Sequence, residues 1–98
     1  MQQKDAVRAD GKVVVHFRHT GDAPILKTSK FKLPGTAKFS TAAQMLRKHL
    51  SLPDSTPLFL YCQSAFAPPP DELLSDVASC FHVDGVLVLN YATIQAWG

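Results

Sequence analysis

Between Lys12 and His19 the chain alternates, with Val13, Val15 and Phe17 on one parity and Val14, His16 and Arg18 on the other. A period of two is that of a β-strand. Thr20-Gly21-Asp22 then supplies turn chemistry. Ile25 to Leu33 predicts a second strand, Phe31 and Leu33 on one parity and Lys30 and Lys32 on the other, so that the two strands form a hairpin. Pro34-Gly35 ends it.

The period then changes. Phe39, Ala42, Ala43, Leu46 and Leu50 recur at helical spacing, which predicts a helix over 39–50. Ser40 or Thr41 is expected to cap it, with Gln44 completing a capping box from Thr41. Arg47, Lys48 and His49 fall in its last turn, where cations complement the helix dipole. Leu58 to Cys62 is a short apolar run that predicts a strand, and Ser64 to Pro70 must be loop. A second helix is expected over Asp71–Phe81, with Leu73, Leu74, Val77, Ala78 and Phe81 on one side and Pro70, Asp71 and Glu72 suiting its N-terminus. Asp84-Gly85 is a turn, and Val86 to Tyr91 is the last strand. Its nearly continuous apolar run suggests a central position.

The order β-β-α-β-α-β is that of an α+β ubiquitin-like β-grasp roll, in which the first and last strands lie parallel at the centre of a mixed sheet. A ferredoxin-like fold would require βαββαβ, which the opening hairpin contradicts. Because Asn90 shares the parity of Val86 and Val88, the core residues of the two central strands are expected to be Val13, Val15, Phe17, Leu87, Leu89 and Tyr91. Val14, His16, Arg18, Val86 and Val88 then face outward, an apolar strip rimmed by charge that suits either a partner or a cover formed by the chain's own termini. Residues 1–11 read as a flexible lead-in with no secretory signal, 12–91 as one domain, and 92–98 as a flexible C-terminal tail.

Composition alters this picture little. With 98 residues and 46% hydrophobic content the chain suits one small domain, and no apolar run approaches the roughly 18 residues of a membrane span. Charge is more informative. Residues 1–48 hold all ten bases and three acids; residues 49–98 hold five acids and no base. Such a split steers charged partners to one face. The bases are dispersed and lack interleaved aromatics, so nucleic acid is not the expected partner. Cys62 and Cys80 read as two small buried thiols, with a disulfide between them as the minor alternative. The four histidines make no HxxxH pair, and no metal site is expected. There are no paired carboxylates in a plausible cleft, no phosphate-cradling glycine loop and no nucleophile motif, so the chain reads as a non-enzyme.

Four segments carry a resemblance. Gly21-Asp22-Ala23-Pro24-Ile25-Leu26-Lys27-Thr28, the loop Ser64-Ala65-Phe66-Ala67-Pro68-Pro69-Pro70-Asp71, the strand Asp84-Gly85-Val86-Leu87-Val88-Leu89-Asn90-Tyr91 and the terminal Gln95-Ala96-Trp97-Gly98 resemble, in this order, motifs of the autophagy-related protein 12 family. The resemblance implies a ubiquitin-like modifier of autophagy. An activating enzyme would use ATP to adenylate Gly98, a conjugating enzyme would take it as a thioester, and an isopeptide bond would join it to a lysine of autophagy-related protein 5. The conjugate would promote transfer of a second ubiquitin-like protein onto phosphatidylethanolamine. The chain would hold no cofactor of its own, would not insert in a membrane, and would act in the cytoplasm and at forming autophagosomes.

A terminal residue without Cβ suits threading into narrow active sites. The chain reads as already ending at Gly98, with no processing needed. Gln95, Ala96 and Trp97 would be the tail's recognition elements, Trp97 either binding a partner or folding back on its own domain. The resemblance also implies that Arg18, Lys30 and Phe31 meet the conjugating enzyme of the lipid-linked modifier, Phe31 standing where the family has Trp. Lys27, Lys30 and Lys32 on an open edge strand suit an acidic segment, and equally serve to block aggregation. Phe66, in the loop motif, joins these candidates. A ubiquitin-like sulfur carrier and a non-covalent adaptor domain remain the alternative readings.

Overall fold

The structure is a computed structural model that describes residues 11–21, 23–62 and 66–93. β1 (Lys12–His19) lies beside β2 (Lys30–Pro34) on one side and β5 (Val86–Ala92) on the other. β2 runs antiparallel to β1, from Lys12 opposite Pro34 to His16 opposite Lys30. β5 runs parallel to β1, from Val14 opposite Val86 to His19 opposite Tyr91. The far side of β5 is shared. β3 (Phe59–Cys62) pairs with its second half and the two-residue β4 (His82–Val83) with its start, both antiparallel. The parallel central pair and mixed sheet are those of the expected ubiquitin-like roll.

Two helices cover one face: α1 (Phe39–Leu50) and α2 (Leu74–Phe81). The parity inferred for the two central strands places the core correctly. Val13, Val15, Leu87 and Leu89 are wholly inaccessible, and Phe17 and Tyr91 nearly so. Leu46 of α1 and Leu74 of α2 complete the contact from above.

The expected hairpin is looser than its residues suggest. Strand pairing begins at Lys30, not Ile25, and Ile25 is 73% exposed. Pro24 has no N–H to give a ladder, and its carbonyl is instead occupied by the Tyr91 hydroxyl. The last rung is Phe17 N–H to Ser29 O, at 2.8 Å. Pro34 closes β2 at the edge of the sheet, where its missing donor is tolerated. β4 was not foreseen. Asp84 and Gly85 both have positive φ, 51° and 80°, which makes a two-residue hairpin turn whose twist matches the strands it joins.

The capping box is also absent. Lys38 is the N-cap of α1 and makes no side-chain cap bond. The amides of Phe39 and Ser40 donate to the carbonyls of Glu72 and Pro70, both at 2.8 Å. In return Leu74 N–H donates to Ala37 O at 2.8 Å and Ser75 N–H to Gly35 O at 3.0 Å. Each helix therefore has first-turn donors satisfied by the loop that precedes the other. This exchange also explains why α2 starts at Leu74, not Asp71: residues 70–73 are spent as acceptors and turn. At the other end of α1, Ser51 adopts the left-handed conformation (φ 56°) and Arg47 donates to the carbonyls of Pro53 and Thr56.

Candidate functional site

Three regions hold the candidate residues. The first is the base of the tail. β5 extends to Ala92, which pairs with Phe59 and is buried. Gln95, Ala96, Trp97 and Gly98 lie outside the described residues.

The second is the sheet face away from the helices. Residues directly opposite in a ladder point to the same side. Lys32, Val14 and Val86 form one row, and Lys30, His16 and Val88 the next. Arg18, Asn90 and Tyr61 form a third. Val14, His16, Val86 and Val88 are half-buried, whereas Arg18, Lys30 and Lys32 are exposed. The strands contain no acidic residue, so the face is cationic around a valine strip. Burial holds the His16 imidazole below its usual pKa, and the nearby Lys30 and Arg18 charges act in the same direction. Among the described residues β2 pairs with β1 on one side only, and a strand edge without a neighbour can accept a partner strand.

Phe31 is not on this face. It stands opposite Val15, on the helix side, with its ring 5.8 Å from Phe17 and 4.9 Å from the His49 ring of α1. Arg18 and Lys30 are thus grouped with the valines, while Phe31 marks the other side of the same edge strand. A segment lying along β2 would meet Lys30 and Lys32 on one side and Phe31 on the other, whereas Val86 and Val88 stand two strands further in.

The third region was visible only as a loop motif. Phe66 is half exposed and stacks on Phe81 with 4.9 Å between ring centroids. Pro68, Pro69, Val77 and Cys80 complete a cleft of about 200 Å³, with Glu72 and Asp76 at its polar side. Glu72, Asp76 and Cys80 are spaced by four, which puts them on one side of α2 and the turn before it. The stack with Phe66 has no local signature. Cys80, expected to be buried, is exposed because it lies on this outward side of α2; Cys62 is buried in β3. Burial pushes the Cys62 thiol up to about 11.

Sequence reasoning also missed Thr20 and Tyr61. Tyr61 projects from the outward face yet is only 7% exposed, and its hydroxyl lies 3.3 Å from Thr20 Oγ1. Among the described residues no group of three or more His, Cys, Asp or Glu could hold a metal ion. No described helix is long and apolar enough to cross a membrane.

Comparison with known proteins matches residues 12–98 to the family model described as ubiquitin-like autophagy protein Apg12. The ubiquitin-like protein ATG12 of Medicago truncatula is 55% identical over 87 residues, 89% of this chain and 88% of the relative. Two solved structures share the fold: Trypanosoma brucei ATG8, with a TM-score of 0.80 at 22% identity over 92% of this chain and 79% of that one, and Plasmodium falciparum Atg8 in complex with a Plasmodium falciparum Atg3 peptide, with 0.78 at 17% identity over 90% and 80%.

Proposed function

The chain belongs to the Apg12 family of ubiquitin-like autophagy proteins, and from that membership we propose that it is a covalent protein modifier whose reacting group is the carboxylate of Gly98. The observation that carries the reading is the family match itself, which continues past the last strand and through the tail to Gly98. The chemistry is one adenylation followed by three acyl transfers. The carboxylate attacks the α-phosphate of ATP and releases pyrophosphate. A cysteine thiolate of the activating enzyme, then of the conjugating enzyme, takes the acyl group, the first transfer releasing AMP. A lysine amine of autophagy-related protein 5 attacks the thioester, the thiol leaves, and an isopeptide bond remains. The catalytic groups belong to the enzymes, so the modifier acts as substrate and not as catalyst. The conjugate would then promote lipidation of a second ubiquitin-like modifier at forming autophagosomes.

Incubation with ATP and the two enzymes tests this. The expected product is an adduct broken by thiols and absent when Gly98 is deleted. An adduct that survives the deletion refutes the assignment, and a chain that still supports lipidation when residues are fused after Gly98 is a non-covalent adaptor.

The cationic edge formed by Arg18, Lys30 and Lys32, with Phe31 behind it, is proposed as the contact for the conjugating enzyme of the lipid-linked modifier. Its open edge and charge favour an acidic extended segment. The Plasmodium Atg8 of similar fold is solved with an Atg3 peptide. Lys30→Glu is expected to weaken binding of that enzyme at least tenfold; an unchanged Kd refutes the surface.

A further inference from the structure

Before Lys30 the chain parts from β1 and leaves a cleft of about 380 Å³. His16, Arg18 and His19 of β1 line it together with Ser29, and Ile25 and Leu26 form its apolar side. The loop is tied at both ends. The Tyr91 hydroxyl donates to Pro24 O, and Phe17 N–H donates to Ser29 O at 2.8 Å. Leu26 packs against the core, whereas its neighbour Ile25 is 73% exposed. Among the described residues no acid lines the cleft. Lys27 and Lys30, both exposed, follow Leu26 and Ser29 in the chain. From Lys12 to Lys32 the sequence holds five bases and one acid, Asp22.

We propose that this cleft and Ile25 together form a docking site for an anionic membrane surface. A phospholipid phosphate enters beside Arg18, His19 and Ser29, Lys27 and Lys30 meet neighbouring headgroups, and Ile25 reaches the boundary between headgroups and acyl chains. A single exposed aliphatic residue is ordinary on its own. Here it stands at the lip of a cationic cleft, on a loop pinned at both ends, so apolar and cationic contacts are offered at one spot. A headgroup with its chains uses both. An acidic protein segment would satisfy the charges and leave Ile25 in water. The strength is modest. Each base near an anionic surface is worth about fivefold in binding, and one partly inserted isoleucine about tenfold. With Arg18, Lys27 and Lys30 the product is about 10³ M⁻¹, below the roughly 10⁴ M⁻¹ of a single myristoyl chain. The contact therefore orients a chain that is brought to the membrane by other means. It does not depend on the reading of Gly98. It shares Arg18 and Lys30 with the enzyme contact proposed above, so membrane and enzyme compete for them.

The test is sedimentation of the full chain with vesicles at millimolar lipid, made of phosphatidylcholine alone or mixed with phosphatidylserine. Binding is expected only with the anionic lipid and should fall as salt is raised. R18Q and K27Q are each expected to weaken it about fivefold, and I25S about tenfold. K38Q removes the same charge near the other end of β1, just past the Lys12–Pro34 pair, and is expected to change binding by less than about twofold. All four side chains are exposed, so thermal midpoints should match the parent. No binding above the level of phosphatidylcholine, an I25S chain that binds as well as the parent, or an equal loss in K38Q overturns the site. Binding of a soluble poly-glutamate peptide that survives I25S, with none to vesicles, gives the cleft to an acidic protein segment and overturns it as well.

Discussion

Gly35→Ala is expected to destabilise the fold, and the sign can be worked out from the geometry. Gly35 sits where β2 turns into α1, its N–H donating to Gly11 O at 2.8 Å and its carbonyl accepting from Ser75 N–H at 3.0 Å. Its φ is outside the left-handed region, so alanine meets no backbone strain there. On that account alone the substitution would stabilise by about 0.4–1 kcal/mol, through a less flexible unfolded chain. An added Cβ, however, would lie 3.0 Å from Gly11 O and 3.1 Å from Ser75 Cβ. Carbon–carbon contacts prefer about 3.5–4.0 Å. Both obstacles are close to the backbone, and retreat of either lengthens a hydrogen bond that Gly35 makes. Overpacking costs about 1–3 kcal/mol, so the crowding exceeds the entropic gain. The net loss should be about 1–2 kcal/mol, or about 4–8 °C in thermal midpoint per kcal/mol for a domain of this size. Urea unfolding followed by circular dichroism measures it, with a lower midpoint and an unchanged slope expected. A variant as stable as the parent, or more so, would refute the claim that the loops preceding the two helices are packed too tightly to yield.

The two cysteines should differ in reactivity, since the attacking species is the thiolate. At pH 8 the folded chain is expected to lose one thiol rapidly to an alkylating reagent, Cys80, and the second only after denaturation; C80S should leave the native chain inert, and rapid labelling of Cys62 would contradict its burial. His16 should make stability depend on pH. Its folded pKa lies below the usual 6.5, so the unfolded chain binds the proton more readily. The stability this residue contributes is present in full above about 6.5 and is lost as pH falls through the folded value. Urea midpoints between pH 7.5 and 5 should therefore fall less steeply in H16Q than in the parent, and equal slopes would remove His16 as a cause.

Much of the fold was legible because its signals are local. The alternation in β1 and the spacing of Phe39, Ala42 and Leu46 each lie within one element, and each survived with few changes at the boundaries. In β5, where apolar residues are nearly continuous, Asn90 alone identified the outward parity, and the burial of Leu87, Leu89 and Tyr91 agrees. The same parity grouped Val14, His16, Arg18, Val86 and Val88 on one face. It did not group them with Phe31, which belongs to the opposite parity of β2. The motif at Phe66 pointed to a loop, and only the approach of Phe81 from α2 made it a cleft.

What the sequence determined by itself was the set of elements, their buried sides, the division of charge along the chain and, through its motifs, the family. Each is a property of neighbours within a few residues, or of residue identity alone. Only the tertiary structure decided how the ends of those elements are finished. The Thr41–Gln44 pair offered a capping box, but the carbonyls of Pro70 and Glu72 arrive at the first turn of α1 and take its donors. Ile25 offered a strand, but the Tyr91 hydroxyl takes the Pro24 carbonyl beside it and Ile25 stays exposed. In both cases the competing partner comes from a distant part of the chain. A local preference worth about 1 kcal/mol yields to a backbone bond already oriented by the packed core.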